Sequence, residues 1–274
     1  MKKIILITIC LMVLIIGKLS AQVIYADAGV GYNFRLAAQN LVYYTTPTTK
    51  EIKKVNYGNG VDFGGGAGYM FNKYIGAEVD FSYLISNRFS YTNRYADDDS
   101  SSQRIDATMF RVIPAVKFSL GNKIKPYSKI GLVLGFGKLI KTDAYTIQPG
   151  PGPIDFSRVE ETKVYTGNIS LGVMGVLGVD IMFTDNIGVY VEMKAIAQSW
   201  APKKSVYTMI KLDGVDHIQS MNNKETIYVD SIDNTQPYTP GEPFRELKTW
   251  YPFSSWGFNA GVHLAFACKS KKTE

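Results

Sequence analysis

Between Tyr165 and Phe183 the odd positions carry Tyr165, Ile169, Leu171, Val173, Leu177, Val179, Ile181 and Phe183, while the even ones include Thr166, Asn168, Ser170, Gly172, Gly178 and Asp180. Side chains of a strand alternate between two faces, so this segment reads as a strand with one greasy side. Globular strands average roughly 5 to 6 residues, and this one is far longer. A strand that crosses a bilayer needs roughly 9 to 11 tilted residues, apolar outward and small or polar inward, with aromatic residues at both interfaces. Hydrocarbon is therefore the expected solvent for the odd face.

The same alternation recurs near Val23 to Leu36, Val61 to Phe71, Tyr74 to Tyr91, Thr108 to Leu120, Lys125 to Ile140, Ile187 to Trp200 and Ser254 to Phe266, which brings the expected strands to eight. Asn72-Lys73, Gly121-Asn122-Lys123 and Thr184-Asp185-Asn186 are short polar joins, and the other four are long. Short turns on one side and long loops on the other are the habit of outer-membrane barrels, whose turns and termini face the periplasm. The expectation is an all-β fold, an eight-stranded antiparallel up-and-down transmembrane barrel. Two pieces of the last long connection, Val206 to Leu212 and Thr226 to Ile232, either raise the wall above the membrane or make ten strands.

The parity opposite the greasy one is rich in glycine and charge. It places Asp27, Arg35, Glu78, Asp80, Arg111, Lys117, Lys129, Asp180, Glu192, Lys194 and His263 inside. An eight-stranded barrel has an interior only wide enough for side chains, so these groups are expected to meet as an ion-pair network. A soluble lipocalin-type barrel also has about eight alternating strands, but it turns its apolar face inward. The charged parity argues against that rival, because burying it unpaired would be costly.

Lys2 and Lys3, the apolar run Ile4 to Ile16 and the small residues ending at Ala21 have the form of a secretory leader, with the mature chain, residues 22–274, expected to form the barrel domain. Cys10 lies inside the apolar run beside bulky Ile9, which argues against a lipid anchor. Composition is that of an ordered protein, 46% hydrophobic with 18 Tyr, 14 Phe and 25 Gly. The formal charge of +6 falls to +3 without Lys2, Lys3 and Lys18, with 27 basic and 24 acidic residues left. Those basic residues are scattered, so nucleic acid is not an expected partner. Cys268 is the only cysteine after the leader, which excludes an intrachain disulfide. No cofactor or metal is expected.

Two local patterns resemble the outer-membrane β-barrel family common in Bacteroidetes-type bacteria, akin in architecture to small OmpA/OmpX-like barrels. One is Ile113-Pro114-Ala115-Val116-Lys117-Phe118 followed by Lys125-Pro126-Tyr127 and Gly131. The other is Asn259-Ala260-Gly261-Val262-His263-Leu264-Ala265-Phe266. This C-terminal pattern is similar to a barrel-assembly signal, carried by Asn259, Gly261, Leu264 and Phe266, although the family's signal usually ends the chain and here a tail runs on to Glu274. The resemblance implies the outer membrane, with lipid, lipopolysaccharide and the barrel-insertion machinery as partners. It also permits a protein partner outside or in the periplasm, and an accessory role in a secretion system.

Pro114 removes a ladder donor in a barrel without edges, which predicts a bulge and a local break in pairing. The loops carry weaker signals. Tyr43, Tyr44, Lys50, Lys53 and Lys54 make a basic aromatic surface, Asp97-Asp98-Asp99 lacks calcium-loop spacing, and Pro149 to Pro153 is a stiff tip. Asp216 and His217 are the only acid-base candidates that include a histidine, but adjacent strand residues point to opposite faces. The sequence thus favours a non-enzymatic envelope barrel with a structural or loop-mediated role over a narrow solute pore or a barrel enzyme.

Overall fold

A computed structural model describes residues 23–45, 50–94, 100–147, 157–233 and 241–267. The expected leader, Asp97 to Asp99, the proline-rich tip and Cys268 lie outside the described residues. Eight strands form the barrel: β1 Val23–Arg35, β2 Gly60–Met70, β3 Ile75–Ser86, β4 Ser100–Ser119, β5 Ile124–Ile147, β6 Ile169–Met182, β7 Ile187–Trp200 and β8 Ser255–Ala267. Each pairs antiparallel with its chain neighbour, and β1 closes the ring on β8. Closure leaves no open edge at membrane depth, where an unpaired peptide group has no water to bond.

The register fixes the tilt. From Arg35 the chain of partners runs through Ser255, Ile196, Met174, Gly131, Ala115, Glu78 and Gly68 back to Tyr25 on β1. One circuit therefore returns ten positions lower, from 35 to 25, and this stagger makes the strands climb obliquely around a narrow barrel. Outward positions bear exposed Ile24, Val30, Phe63, Phe81, Ile130, Leu132, Leu171 and Leu177. Aromatic residues bound this band at both ends. Tyr74, Phe118, Phe183 and Phe266 lie near the termini and short turns, the turn end; Phe34, Tyr83, Phe110, Phe136 and Trp256 lie toward the long connections, the loop end.

The long alternating segment that begins at Tyr165 is two strands. Ser157–Thr166 and β6 both pair with β5, but Leu139 faces Tyr165 while Phe136 faces Ile169. Three residues on one side therefore oppose two on the other, an inserted bulge at Gly167 and Asn168, both with positive φ. The insertion reverses the parity above it. Tyr165, expected on the lipid face, turns inward and is buried.

Above the bulge the wall continues beyond the lipid band. Ser157–Thr166 pairs with Lys204–Leu212, which pairs in turn with Glu225–Val229, and Phe244–Leu247 adds a parallel strand. The pieces expected at Val206 to Leu212 and Thr226 to Ile232 thus extend the wall, and the ten-stranded alternative is not realised. At Pro114 the ladder to β5 lapses between Val112–Leu134 and Ala115–Gly131, yet the register is the same on both sides. The expected break is present without a bulge. Pro114 faces outward, and only the β5 side loses its pairing, since the partner Val79 on β3 is retained.

Candidate functional site

Inward positions of all eight strands converge on a layered lumen. Nearest the turn end, Lys117 Nζ sits 3.0 Å from Asp180 Oδ2 and over the rings of Tyr25 and Tyr127, at 4.6 and 4.2 Å. His263 Nδ1 meets Asp27 Oδ1 at 2.5 Å, a pairing built by the Asp27–His263 register of β1 and β8. One layer further in, Lys129 contacts Glu78 and lies 3.8 Å from Asp80 and 3.7 Å from Glu192. Tyr25 donates to Glu78 at 2.6 Å, and Tyr127 and Asn259 donate to the two oxygens of Glu192 at 2.9 and 3.0 Å. Such cross-bracing satisfies lone pairs that a bare buried ion pair leaves open. The tyrosines fit because their neighbours have no side chain: a Cβ at Gly68 or Gly178 would overlap the ring of Tyr25 or Tyr127.

Toward the loop end, Lys194 pairs with Asp62, which also accepts from Ser82 Oγ at 2.7 Å. Arg111 is fully buried, donating through Nε to Gln198 at 2.9 Å and through Nη2 to the Phe253 carbonyl at 3.4 Å. Above this layer the polar lumen gives way to an apolar cluster of Leu84, Met109, Leu139, Trp200, Tyr57 and Phe253. Tyr57 and Phe253 come from the connections that precede β2 and β8, and Tyr57 N–H donates to the Pro252 carbonyl at 2.8 Å. Trp200 Nε1 donates to the Gly167 and Asn168 carbonyls, so the same bulge that turns the chain supplies the indole's partners.

Ten of the eleven charged residues placed inside by parity face this lumen. Arg35 does not: it is exposed at the last position of β1, where the wall opens to the loop end. Asp62, Tyr25, Tyr127 and Gln198 are functional neighbours that the sequence reading omits, although all four occupy inward positions and are findable by the same rule. Tyr57 and Phe253 carry no such signal, because neither lies in an alternating strand. Of the four residues expected to form an assembly signal, Asn259 braces Glu192, Gly261 packs against β1, and Leu264 and Phe266 are exposed on the lipid face.

One cavity lies among the ionic layers and a second opens at the turn end. An internal one of about 30 Å³ is lined by Asp27, Asp62, Asp80, Lys129, Glu192 and Lys194. A vestibule of about 270 Å³ at the turn end is lined by Tyr25, Lys73, Lys117, Lys125, Asp180 and His263. Among the described residues no group of three or more His, Cys, Asp or Glu side chains is arranged to hold a metal. Asp216 and His217 are exposed on the raised sheet; the Asp216 carboxylate accepts the Ile218 N–H at 2.9 Å, and Asp213 accepts that of Arg158 at 2.7 Å. Asp216 thus braces its own turn, and Asp213 ties its turn to the start of the Ser157–Thr166 strand.

A closed eight-stranded barrel with a lipid-facing aromatic-bounded band and an ionic interior is the geometry of an outer-membrane protein. The family model described as outer membrane protein beta-barrel domain matches residues 9–199. The chain belongs to that family. This outer-membrane barrel is also similar to the crystal structure of Acinetobacter baumannii CarO2, at 14% identity over 90% of this chain and 100% of that one, with a TM-score of 0.35. No curated protein matches it.

Proposed function

We propose that the protein is a non-conducting, non-enzymatic envelope barrel that displays its raised sheet to partners while a filled lumen stiffens the wall. The observation that carries this reading is the succession of side chains across the interior. From the turn end the axis meets Lys117 and Asp180, then Lys129 and its three carboxylates, then Arg111, then Trp200 and Phe253, all with at most 8% of their side chains or residues exposed except Asp80. The internal cavity of about 30 Å³ has room for about two water molecules. Termini and short turns face the periplasm in this reading, and the raised sheet faces outward among lipopolysaccharide.

The raised sheet is the natural place for recognition, since loops and extensions on a rigid scaffold carry binding. It exposes Val215, Phe244, Leu247 and Trp250 beyond the lipid band. Planar-bilayer recording of the purified protein tests the central point. A filled lumen gives no stable conductance steps, and regular unitary steps in most insertions would replace this reading with a narrow solute pore.

A further inference from the structure

The lipid face of β3 to β6 is not smooth. A crevice of about 450 Å³ at the turn end is lined by Tyr74, Ile75, Phe118, Leu120, Pro126 and Leu177. Along the register Ile75 faces Phe118, Phe118 faces Ser128 and Ser128 faces Leu177, so a small side chain separates two exposed bulky ones. At the next outward positions a second depression, of about 770 Å³, is lined by Ala77, Pro114, Val116, Ile130, Leu132 and Val173. On β6 the outward position between Leu177 and Val173 is Gly175, where a Cβ would meet nothing within 4 Å. The two depressions follow one another along the strands as a furrow. From Pro126 to Leu132 it covers about 20 Å of strand, and at the tilt of about 40° usual in such barrels it descends about 15 Å, half of a hydrocarbon core about 30 Å thick. Its depth is that of one leaflet.

The mouth of the furrow is basic. The β2–β3 turn, the β4–β5 turn and the first residues of β5 bring Lys73, Lys123 and Lys125 beside it, with no acid among them. Lys73 and Lys125 directly precede the crevice residues Tyr74 and Pro126, and Lys73 Nζ lies 4.7 Å over the Tyr74 ring. Asp180 faces Lys125 across the β5–β6 register but is held by Lys117 at 3.0 Å, and among the described residues none of the three turn-end lysines is in an ion pair. We infer that the furrow holds one phospholipid with an anionic headgroup of the phosphatidylglycerol type, its phosphate at Lys73, Lys123 and Lys125 and one acyl chain bedded past Ser128 and Gly175 toward Pro114. Lysine binds phosphate as a point charge, and a tyrosine at headgroup level is an ordinary interfacial anchor. An apolar wall alone takes any acyl chain, whereas unpaired cations at its edge select for negative charge. A second copy of the chain inserted in the same sense is a poorer occupant, because it brings its own turn-end lysines to the same level. The turn end faces the periplasm in the reading proposed above, so the lipid is one of the inner leaflet, and that assignment rests on the same reading.

Native mass spectrometry of the folded protein in detergent, incubated with phosphatidylglycerol or with phosphatidylethanolamine of the same acyl chains, reads this site. The parent is expected to retain one phosphatidylglycerol about five-fold more than phosphatidylethanolamine. Replacing Lys73, Lys123 and Lys125 together by Gln should abolish that preference, while Lys248→Gln on the raised sheet should leave it. Gly175→Leu fills the open position on the lipid face and should lower retention of both lipids several-fold. Equal retention of the two lipids by the parent, or a preference that survives the triple variant, overturns the inference. Displacement of the lipid by inorganic phosphate with Gly175→Leu without effect also overturns it, and would leave a free-phosphate site at the lysines. Neither the direction of insertion nor the conductance of the lumen enters a measurement made in detergent, so the lipid site and the reading above fail separately.

Discussion

The two halves of the lumen are filled by different means. The turn-end half is closed by the barrel's own strands: Lys117, Lys129, Glu78 and Glu192 project from the wall, and glycines make room for Tyr25, Tyr127 and Asp80, which pack among them. The loop-end half is closed partly by the wall, through Leu84, Met109 and Trp200, and partly by Tyr57 and Phe253 folded in from connections. Ions suit the first because the chain can hold each one between fixed strands with several partners. Apolar groups suit the other because a connection that enters the mouth has fewer fixed donors to offer. The difference teaches that a narrow barrel needs both a parity rule and an inserted cap to shut its lumen.

Breaking the ionic half should have the larger effect. Lys129 is the shared cation of Glu78, Asp80 and Glu192, so Lys129→Met strands three carboxylates without their partner. Loss of one member of a buried charged set costs about 3–5 kcal/mol, most of it the penalty of the charges left behind. Urea titration of folded protein in vesicles should read that loss. The double variant Lys129→Met with Glu78→Gln should recover part of it, because one stranded charge is gone. A single variant as stable as the parent would show that the network is hydrated and contributes little.

The plug should respond less, and in a different way. Trp200 is fully buried and packs against Phe253 and Tyr251 at centroid separations of 6.3 and 6.1 Å. Trp200→Ala should cost about 3 kcal/mol, since large-to-small changes at well-packed aromatic sites cost about 3–5 and a site near the mouth can partly collapse. Bilayer recording should stay silent in this variant, because the ionic layers below are untouched. Conductance appearing on loss of the indole alone would make the plug the true seal and reverse the ranking of the two halves.

How much of this is legible in the amino-acid sequence follows the same division. Period-two alternation from Val23 to Phe266 specifies eight strands, and parity puts Lys117, Lys129, Asp180 and Glu192 inside, because a closed barrel offers each strand only two faces. The pairing partners are not legible, since they depend on the ten-residue stagger, which no single strand encodes. Parity misplaces Tyr165 because one inserted residue at Gly167 and Asn168 reverses every side chain beyond it. It misplaces Arg35 because it carries no information about where the wall ends. Tyr57 and Phe253 lie in irregular connections, where alternation has nothing to report.

The smallest effect is expected outside both halves, where the wall has left the lipid and charges meet water. On β4 the outward positions change from Phe110 through Thr108 to Asp106, and the Asp106 carboxylate accepts from Arg88 Nε at 2.7 Å and Arg104 Nε at 2.9 Å. Partial burial pushes this carboxyl up, but the two guanidinium groups outweigh it and hold it below the ordinary carboxylate range. A depressed carboxyl contributes stability that is present above its unfolded value, about pH 4, and is lost as the pH falls through the folded value. Its side chain is 36% exposed and the arginine side chains are 50% and 55% exposed, so solvent and salt screen the triad strongly. Asp106→Asn should therefore cost about 0.5 kcal/mol at neutral pH and nothing near pH 2, with the neutral-pH difference shrinking further in molar salt. Urea titrations of parent and variant at the two pH values check this, and a loss as large as that from Lys129→Met would mean that the raised wall, rather than the lumen, holds the barrel together.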